Sequence, residues 1–398
     1  MNALKRLLKQ RQQHSQEESE IMNTKVTEAA IVMDFIDTSD EPQGRGSRRG
    51  KSSNHQRQRL SRGKNLMEDY FVDRPIFNED DFRRRYRMRP PVFNRIKTAL
   101  CTQVSYWHQK AYAVGLLGLL PQQKMTAALR MLAYGAAADQ CAEICRIGES
   151  TTLECMKKFC EQVEGLFGKE YLRAPTPADL RSLLLRGGQK GFPGMIESIN
   201  CMHWEWKNCP SGAQNDINVL GQTPVFDKVI ARDSPTVVFH VNGKRYNNAY
   251  YLADGIYPRY STFIKIISNP ATQAHKLFAK KQEAYRKDVE RCFGILQSRW
   301  AILRHGARMH KRSTLRSIMM TCIILHNMIV EDEFVESVEE NLMNPLASRV
   351  YDGPVDYNGV RIHFAPVQRD ERNQQAFWDR IENLESTYVH TILQNDLV

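Results

Sequence analysis

The hydrophobic period changes twice along this chain, and the order of those changes restricts the fold more than any composition figure. From Leu66 to about residue 185 apolar residues recur at helical spacing, with Tyr70, Phe71, Phe77, Phe82 and Phe93 as aromatic anchors. Residues 122–134 read as a helix behind Pro121, with Met125, Leu129 and Leu132 on one face. Residues 136–147 form a second helical stretch. After a break at Gly148, Ser150 or Thr151 caps a third that carries Met156, Phe159, Val163 and Leu166. A proline-containing connector at 174–177, a short helix at 178–185 and a glycine-rich stretch at 187–194 follow. The pattern then alternates over 195–206, 237–241 and 248–253, which are strand candidates. Helical spacing returns over 278–296 and 314–330. This order predicts a mixed α+β chain in which a helical, helix-turn-helix-like region precedes an α/β domain.

Residues 1–65 are dominated by Gln, Ser, Gly and Arg and are expected to be a disordered basic arm. Residues 42–64 hold eight Lys or Arg and no Asp or Glu, a pattern that suits a nuclear address or a DNA-backbone contact. Arg45, Arg48, Arg49, Lys51, Arg57 and Arg59 are the candidate contacts, with a merely solvated linker as the bland alternative. The net charge of +11 points the same way, towards DNA as partner. An anionic membrane is the rival partner. The apolar runs 113–120 and 318–330 are shorter than the roughly 18 residues needed to span a bilayer, so no membrane association is expected.

Nine cysteines without a CxxC pair predict neither a disulfide framework nor a zinc site, and the first fourteen residues lack a secretory core. A reducing compartment, the nucleus, is the expected location. Cys141, Cys145, Cys155 and Cys160 are read as small buried apolar residues. In the helical region Lys157 and Lys158 are candidate phosphate contacts. Arg83, Arg84, Arg85, Arg87 and Arg89 either grip phosphates or form a solvated helix face. The acidic run 331–340 reads as a solvated linker. The expected divisions are therefore 1–65, 66–186, 187–335 and 336–398, the last an acidic linker and a C-terminal helix.

Two acids stand where chemistry is expected: Asp254 at the end of an apolar strand and Glu290 within a helix. Converging strand-end and helical carboxylates can hold Mg²⁺, and a pair of such ions supports phosphodiester cleavage. Each also has a plain explanation, since Glu290 can pair with Arg286 one helical turn earlier and Asp254-Gly255 is a common turn.

The words of the sequence closely resemble plant PIF/Harbinger-type transposases. The matching stretches are QQKMTAALRMLAYG (122–135), RIGEST (146–151), GFPGMIESINCMHWEWKNCP (191–210), NDINVL (215–220), YYLADGIYP (250–258) and KDVERCFG (287–294), with 301–304 and 322–331. The resemblance implies a helical DNA-binding region and a ribonuclease-H-like domain whose two aspartates and glutamate bind two divalent cations, Mg²⁺ or another. It maps the later catalytic acids onto Asp254 and Glu290, and Asp216 onto a further recurrent acid near the metal.

Two departures qualify that inheritance. The first catalytic aspartate belongs in an IDCMHW strand, but here Asn200 stands in that place, and an amide offers no charged carboxylate to bridge two dications. Family members also carry two further strands between WKNCP and NDINVL. Only Ser211, Gly212, Ala213 and Gln214 separate those motifs here, whereas a hairpin needs on the order of 12 residues. The sheet is expected to lack that hairpin, leaving an edge that calls for a second protein subunit or weakens the fold. At the end of the chain, LQNDLV (393–398) resembles the start of the family's last helix.

The expected function is a non-cutting, DNA- or chromatin-associated nuclear protein. A residual metal-dependent endonuclease using Asp216, Asp254 and Glu290, and a relic without function, are the alternatives. No small-molecule substrate is expected. His203, Trp204 and Trp206 read as strand packing, and His326 with Asn327 as a satisfied helix-face pair.

Overall fold

The computed structural model describes residues 57–111, 115–173, 175–200, 202, 204, 205, 207, 237–257, 259–309, 311–342 and 386–398. It is a mixed α+β structure, mostly helical with a small sheet. The helices are α1 (Arg59–Tyr70), α2 (Glu79–Tyr86), α3 (Pro90–Gln103), α4 (Pro121–Tyr134), α5 (Ala138–Cys145), α6 (Glu149–Tyr171), α7 (Pro177–Gln189), α8 (Gln273–Arg299), α9 (Arg312–Leu342) and α10 (Thr387–Leu397). The strands are β1 (Met195–Ser198), β2 (Phe239–Val241), β3 (Lys244–Tyr246), β4 (Tyr250–Ala253) and β5 (Phe263–Lys265).

Helices α1 to α6 and α9, with the C-terminal turns of α8, enclose the larger core. At its N-terminal end Tyr70, Phe82, Tyr86 and Phe93 pack with the partly buried Phe71 and Phe77, as their helical spacing predicted. The rings meet largely edge-on, as between Phe82 and Phe93 at 5.7 Å, an arrangement that aligns positive ring edges with negative faces. Helix α2 starts cleanly because the Asn78 side chain accepts from the Asp81 N–H, and its first-turn acids and last-turn arginines both oppose the helix dipole. Helix α6 is the central strut. Its Phe159, Cys160, Val163 and Phe167 pack in the core that also holds Ile318, Cys322, Leu325 and Met328 of α9, and the Thr321 hydroxyl donates to the Cys160 carbonyl at 3.0 Å.

A second core lies under the sheet. Strands β1, β4 and β5 are hydrogen-bonded in that order and all run parallel, while β2 and β3 form a separate antiparallel hairpin. Leu180 and Leu184 of α7, Phe278 of α8 and Leu393 of α10 cover it, together with Phe192, Phe239, Tyr250, Leu252 and Ile264. Helix α8 therefore serves both cores: Phe278 packs below the sheet, and Leu296 joins the helical core. Two glycines explain why the connector before β1 is glycine-rich. A Cβ on Gly194, which sits at φ +80, would come within 2.4 Å of the Phe239 ring; one on Gly187 would come within 2.7 Å of the Met195 carbonyl.

Several expectations need correction. The arm is not irregular up to residue 65: α1 begins at Arg59, and Gly63 is buried beside Leu120 and Gln123. The third helix of the expected trio starts at Glu149 with Gly148 as its N-cap, so Ser150 and Thr151 lie inside the helix and do not cap it. Strand β1 stops at Ser198, far short of Trp206. The acidic run 331–340 is not a linker but the continuation of α9 to Leu342. Within α9, Arg312–Glu333 is long and apolar enough to cross a bilayer by length and composition, which the run lengths did not suggest, and half of that stretch is buried inside the protein. The buried cysteines behave as expected: Cys141, Cys145, Cys155 and Cys160 are unbonded and enclosed, and burial pushes the Cys141 thiol up to about 11 and those of Cys145 and Cys160 up to about 12.

Candidate functional site

The carboxyl ends of the parallel strands gather the residues singled out by sequence. In the register of β1 and β4, Ser198 pairs with Leu252, and the ladder continues with the Ile199 N–H donating to the Leu252 carbonyl at 2.8 Å. Asn200 and Asp254 each lie two residues beyond the Ser198–Leu252 pair, at the carboxyl ends of neighbouring strands. Ligand-binding side chains of parallel sheets collect at this end, outside the strand carboxyl termini. Asp254 turns the chain by accepting the Gly255 N–H with its own side chain.

Glu290 reaches the same place from α8, and Arg286 holds it there. The Arg286 guanidinium donates to Asp254 Oδ1 at 3.1 Å and to Glu290 Oε1 at 2.9 Å. Both acids thus converge on one cation supplied by the protein. Its side chain is only 15% exposed, against 37% for Asp254 and 45% for Glu290, so the guanidinium sits beneath the two carboxylates. Lys265, at the end of β5, donates to the Tyr257 carbonyl close by; burial, then the Arg259 charge, lower its pKa, while Asp254 acts in the opposite sense. The pairing of Glu290 with Arg286 is the plain alternative that the helical spacing offered. The link onward to Asp254 was not visible in it.

Among the described residues no group of three His, Cys, Asp or Glu side chains is placed to hold a metal ion. Asp216, His203, Trp206, Arg45, Arg48, Arg49 and Lys51 lie outside the described residues. Trp204 does not belong to a strand; its indole N–H donates to the His305 carbonyl at 3.0 Å. His326 and Asn327 do not pair with each other. Asn327 donates to the Tyr171 carbonyl at 3.1 Å, and His326 Nδ1 lies 3.2 Å from the Arg299 guanidinium, its pKa lowered by burial and then by that arginine.

The basic candidates divide. Arg57 is exposed just ahead of α1, and Arg59 is partly buried in it. Lys157 is exposed on α6, whereas Lys158 is paired with Glu154 at 2.9 Å and lies over the Tyr106 ring. Of the arginine run on and after α2, Arg85 donates to the Tyr70 hydroxyl and packs on Phe77, and Arg89 makes a two-pronged pair with Asp332 of α9. Arg83, Arg84 and Arg87 instead line an open groove opposite α8 and α9. Arg83 and Arg84 lie in the last turn of α2, and Arg87 is its C-cap, with a left-handed φ of 62°.

Residues 169–214 and 211–336 match the family model of a plant transposon protein. That stretch of the chain is therefore similar to a plant transposon protein. Residues 63–100, which run from within α1 to within α3, match the model of a domain of unknown function (DUF8418). No curated protein and no solved structure matches the chain. The two matched pieces of the transposon protein meet at residues 211–214, and together they include Asn200, Asp254, Arg286 and Glu290.

Proposed function

We propose that the protein derives from a Harbinger-type transposase, that its inherited acid centre no longer cuts DNA, and that it acts as a DNA- or chromatin-associated binding protein in the nucleus. One observation carries the reading. A neutral amide, Asn200, stands at the first acid position, while the other two acids share the Arg286 guanidinium. Three parallel strands with Asn200 and Asp254 at adjacent ends and Glu290 on the following helix agree with a ribonuclease-H-like plan.

The residues present do not fit a two-metal cradle. Such a cradle needs uncommitted carboxylates of net negative charge. Here the two carboxylates and one guanidinium sum to a single negative charge, and the amide adds none. The family match divides into two overlapping pieces at 211–214, where the shortened segment was read, which supports a sheet without its hairpin.

DNA binding accounts for the basic balance without cleavage. The affinity for a duplex is expected to fall linearly, on logarithmic axes, with salt concentration, with a slope of about −0.9 per phosphate neutralised. Fluorescence anisotropy between 50 and 200 mM salt, about one Debye length of 14 to 7 Å, reads this directly. A flat response would remove the DNA-binding part of the proposal. A supercoiled plasmid incubated with Mg²⁺ or Mn²⁺ is expected to stay intact. Nicking that disappears in Glu290→Gln would overturn the non-cutting part and restore the endonuclease reading.

A further inference from the structure

The groove beside α2 is the cavity whose chemistry the acid pair does not explain. It has a volume of about 480 Å³ and opens to solvent between α2 on one side and α8 and α9 on the other. Arg83 and Arg84 enter from α2, Arg87 from its C-cap and Arg299 from α8, against the carboxylates of Asp80 and Glu333. With Asp81, which pairs with Arg84, four guanidinium groups stand against three carboxylates and leave an excess of one positive charge.

The internal pairing is incomplete in a specific way. Glu333 is shared: it accepts from Arg83 at 2.7 Å and lies 3.5 Å from Arg299. Arg84 takes Asp81, one turn back, at 2.5 Å. Arg87 makes no ion pair among the described residues. Its guanidinium lies over the Tyr134 ring, 5.2 Å from the centroid, and its Nε is buried without a hydrogen-bond partner. Burial lowers the Arg299 pKa, and Glu333 opposes that shift only in part. One guanidinium without an anion and two that share a single carboxylate, lining one open groove, are a setting that phosphate oxygens satisfy, because each fork can bind two oxygens at once.

We infer that this groove is a binding site for the phosphodiester backbone of nucleic acid, held by Arg83, Arg84, Arg87 and Arg299. The ligand chemistry is phosphate, and an extended backbone is favoured over a free phosphate ion for two reasons. The groove is open and is not an enclosed pocket, and the exposed Ile295 and Ser298 continue its floor along α8, the helix that carries Glu290. The inference rests on the DNA-binding reading but moves its centre, from the N-terminal arm and the α6 lysines to α2 and α8.

The test compares three variants of the full chain by duplex anisotropy. Arg83→Gln/Arg84→Gln/Arg87→Gln is expected to weaken binding at least tenfold at moderate salt and to make the log–log salt slope shallower by about 3. Glu333→Gln is expected to tighten binding severalfold, since it frees Arg83 and Arg299; a purely structural role for Glu333 would not do so. Arg45→Gln/Arg48→Gln/Arg49→Gln is expected to have the smaller effect. Unchanged affinity in the groove triple, with loss in the arm triple, overturns the inference and leaves DNA binding standing. No DNA binding by the wild-type chain removes both.

An inorganic phosphate arm separates the two sources of the ligand. Phosphate that raises the melting temperature of the wild type but not of the groove triple, while both bind DNA equally, identifies a free-anion site and rejects the backbone. If the groove triple does not fold, Glu333→Gln decides: tighter binding supports the inference, and unchanged or weaker binding rejects it.

Discussion

The helical core and the sheet core are built on different principles. The helical core draws on seven helices and part of an eighth and closes around fully buried aromatic residues, among them Phe93, Trp107, Phe159 and Trp300. The sheet core has three strands of three or four residues each and is completed from outside by α7, α8 and α10. Strands this short are below the usual five or six residues, so their hydrogen bonds depend on the helices packed against them. The contrast teaches where this protein stores its stability. The arginine groove sits on the self-sufficient unit, and the Asp254–Arg286–Glu290 cluster sits on the dependent one.

A direct way to break this ranking is to remove one anchor from each unit. Trp300, fully buried where α8 ends against the helical core, is expected to show the largest loss, about 3 to 5 kcal/mol for Trp300→Ala by urea denaturation. Gly194→Ala, in the sheet unit, is expected to cost less, about 1 to 3 kcal/mol, from a side chain forced into a positive-φ position against Phe239. A larger loss for Gly194→Ala than for Trp300→Ala would reverse the comparison and make the sheet the stability-determining part.

The smallest effect sharpens the comparison by pH. His390 of α10 is buried, and neither ring nitrogen has a hydrogen-bond partner; burial, then the Arg259 and Lys265 charges, push its pKa down to about 4. The folded imidazole stays neutral until that pH, while the unfolded one takes its proton near 6.5. Unfolding therefore takes up a proton between those values, and the stability of the sheet unit falls as pH drops from about 6.5 towards 4. Subtracting the pH profile of His390→Leu from that of the wild type should isolate this slope. Identical profiles would show that α10 docking does not depend on a neutral His390.

Much of the helical unit was legible in the sequence because its signals are local. Pro121 with Met125, Leu129 and Leu132 specifies α4 without reference to anything distant. The acidic run was misread for the opposite reason. Taken alone, Glu331, Asp332 and Glu333 look like solvated charges, and so do the arginines around α2 and α3. Each set is the other's partner: Arg95 with Glu331, Arg89 with Asp332, and Arg83 with Glu333. No periodicity within either segment could show pairs separated by more than 230 positions, as in Arg95 and Glu331 with a separation of 236.

The site was legible as a set of positions but not as an arrangement. Motif spacing supplied Asp254 and Glu290, and the neutral residue at Asn200 was plain to read. That one guanidinium would bind both acids follows from the meeting of a strand end with a helix face, which depends on how α8 lies against β4.

The continuity of α8 gives the molecule a built-in ruler. Glu290 and Ser298 are eight positions apart on an uninterrupted helix, a span of about 12 Å. With no joint between them, an occupant of the arginine groove is presented to the strand ends at one fixed offset, and it can shift that offset only by tilting the whole rod, which both cores grip.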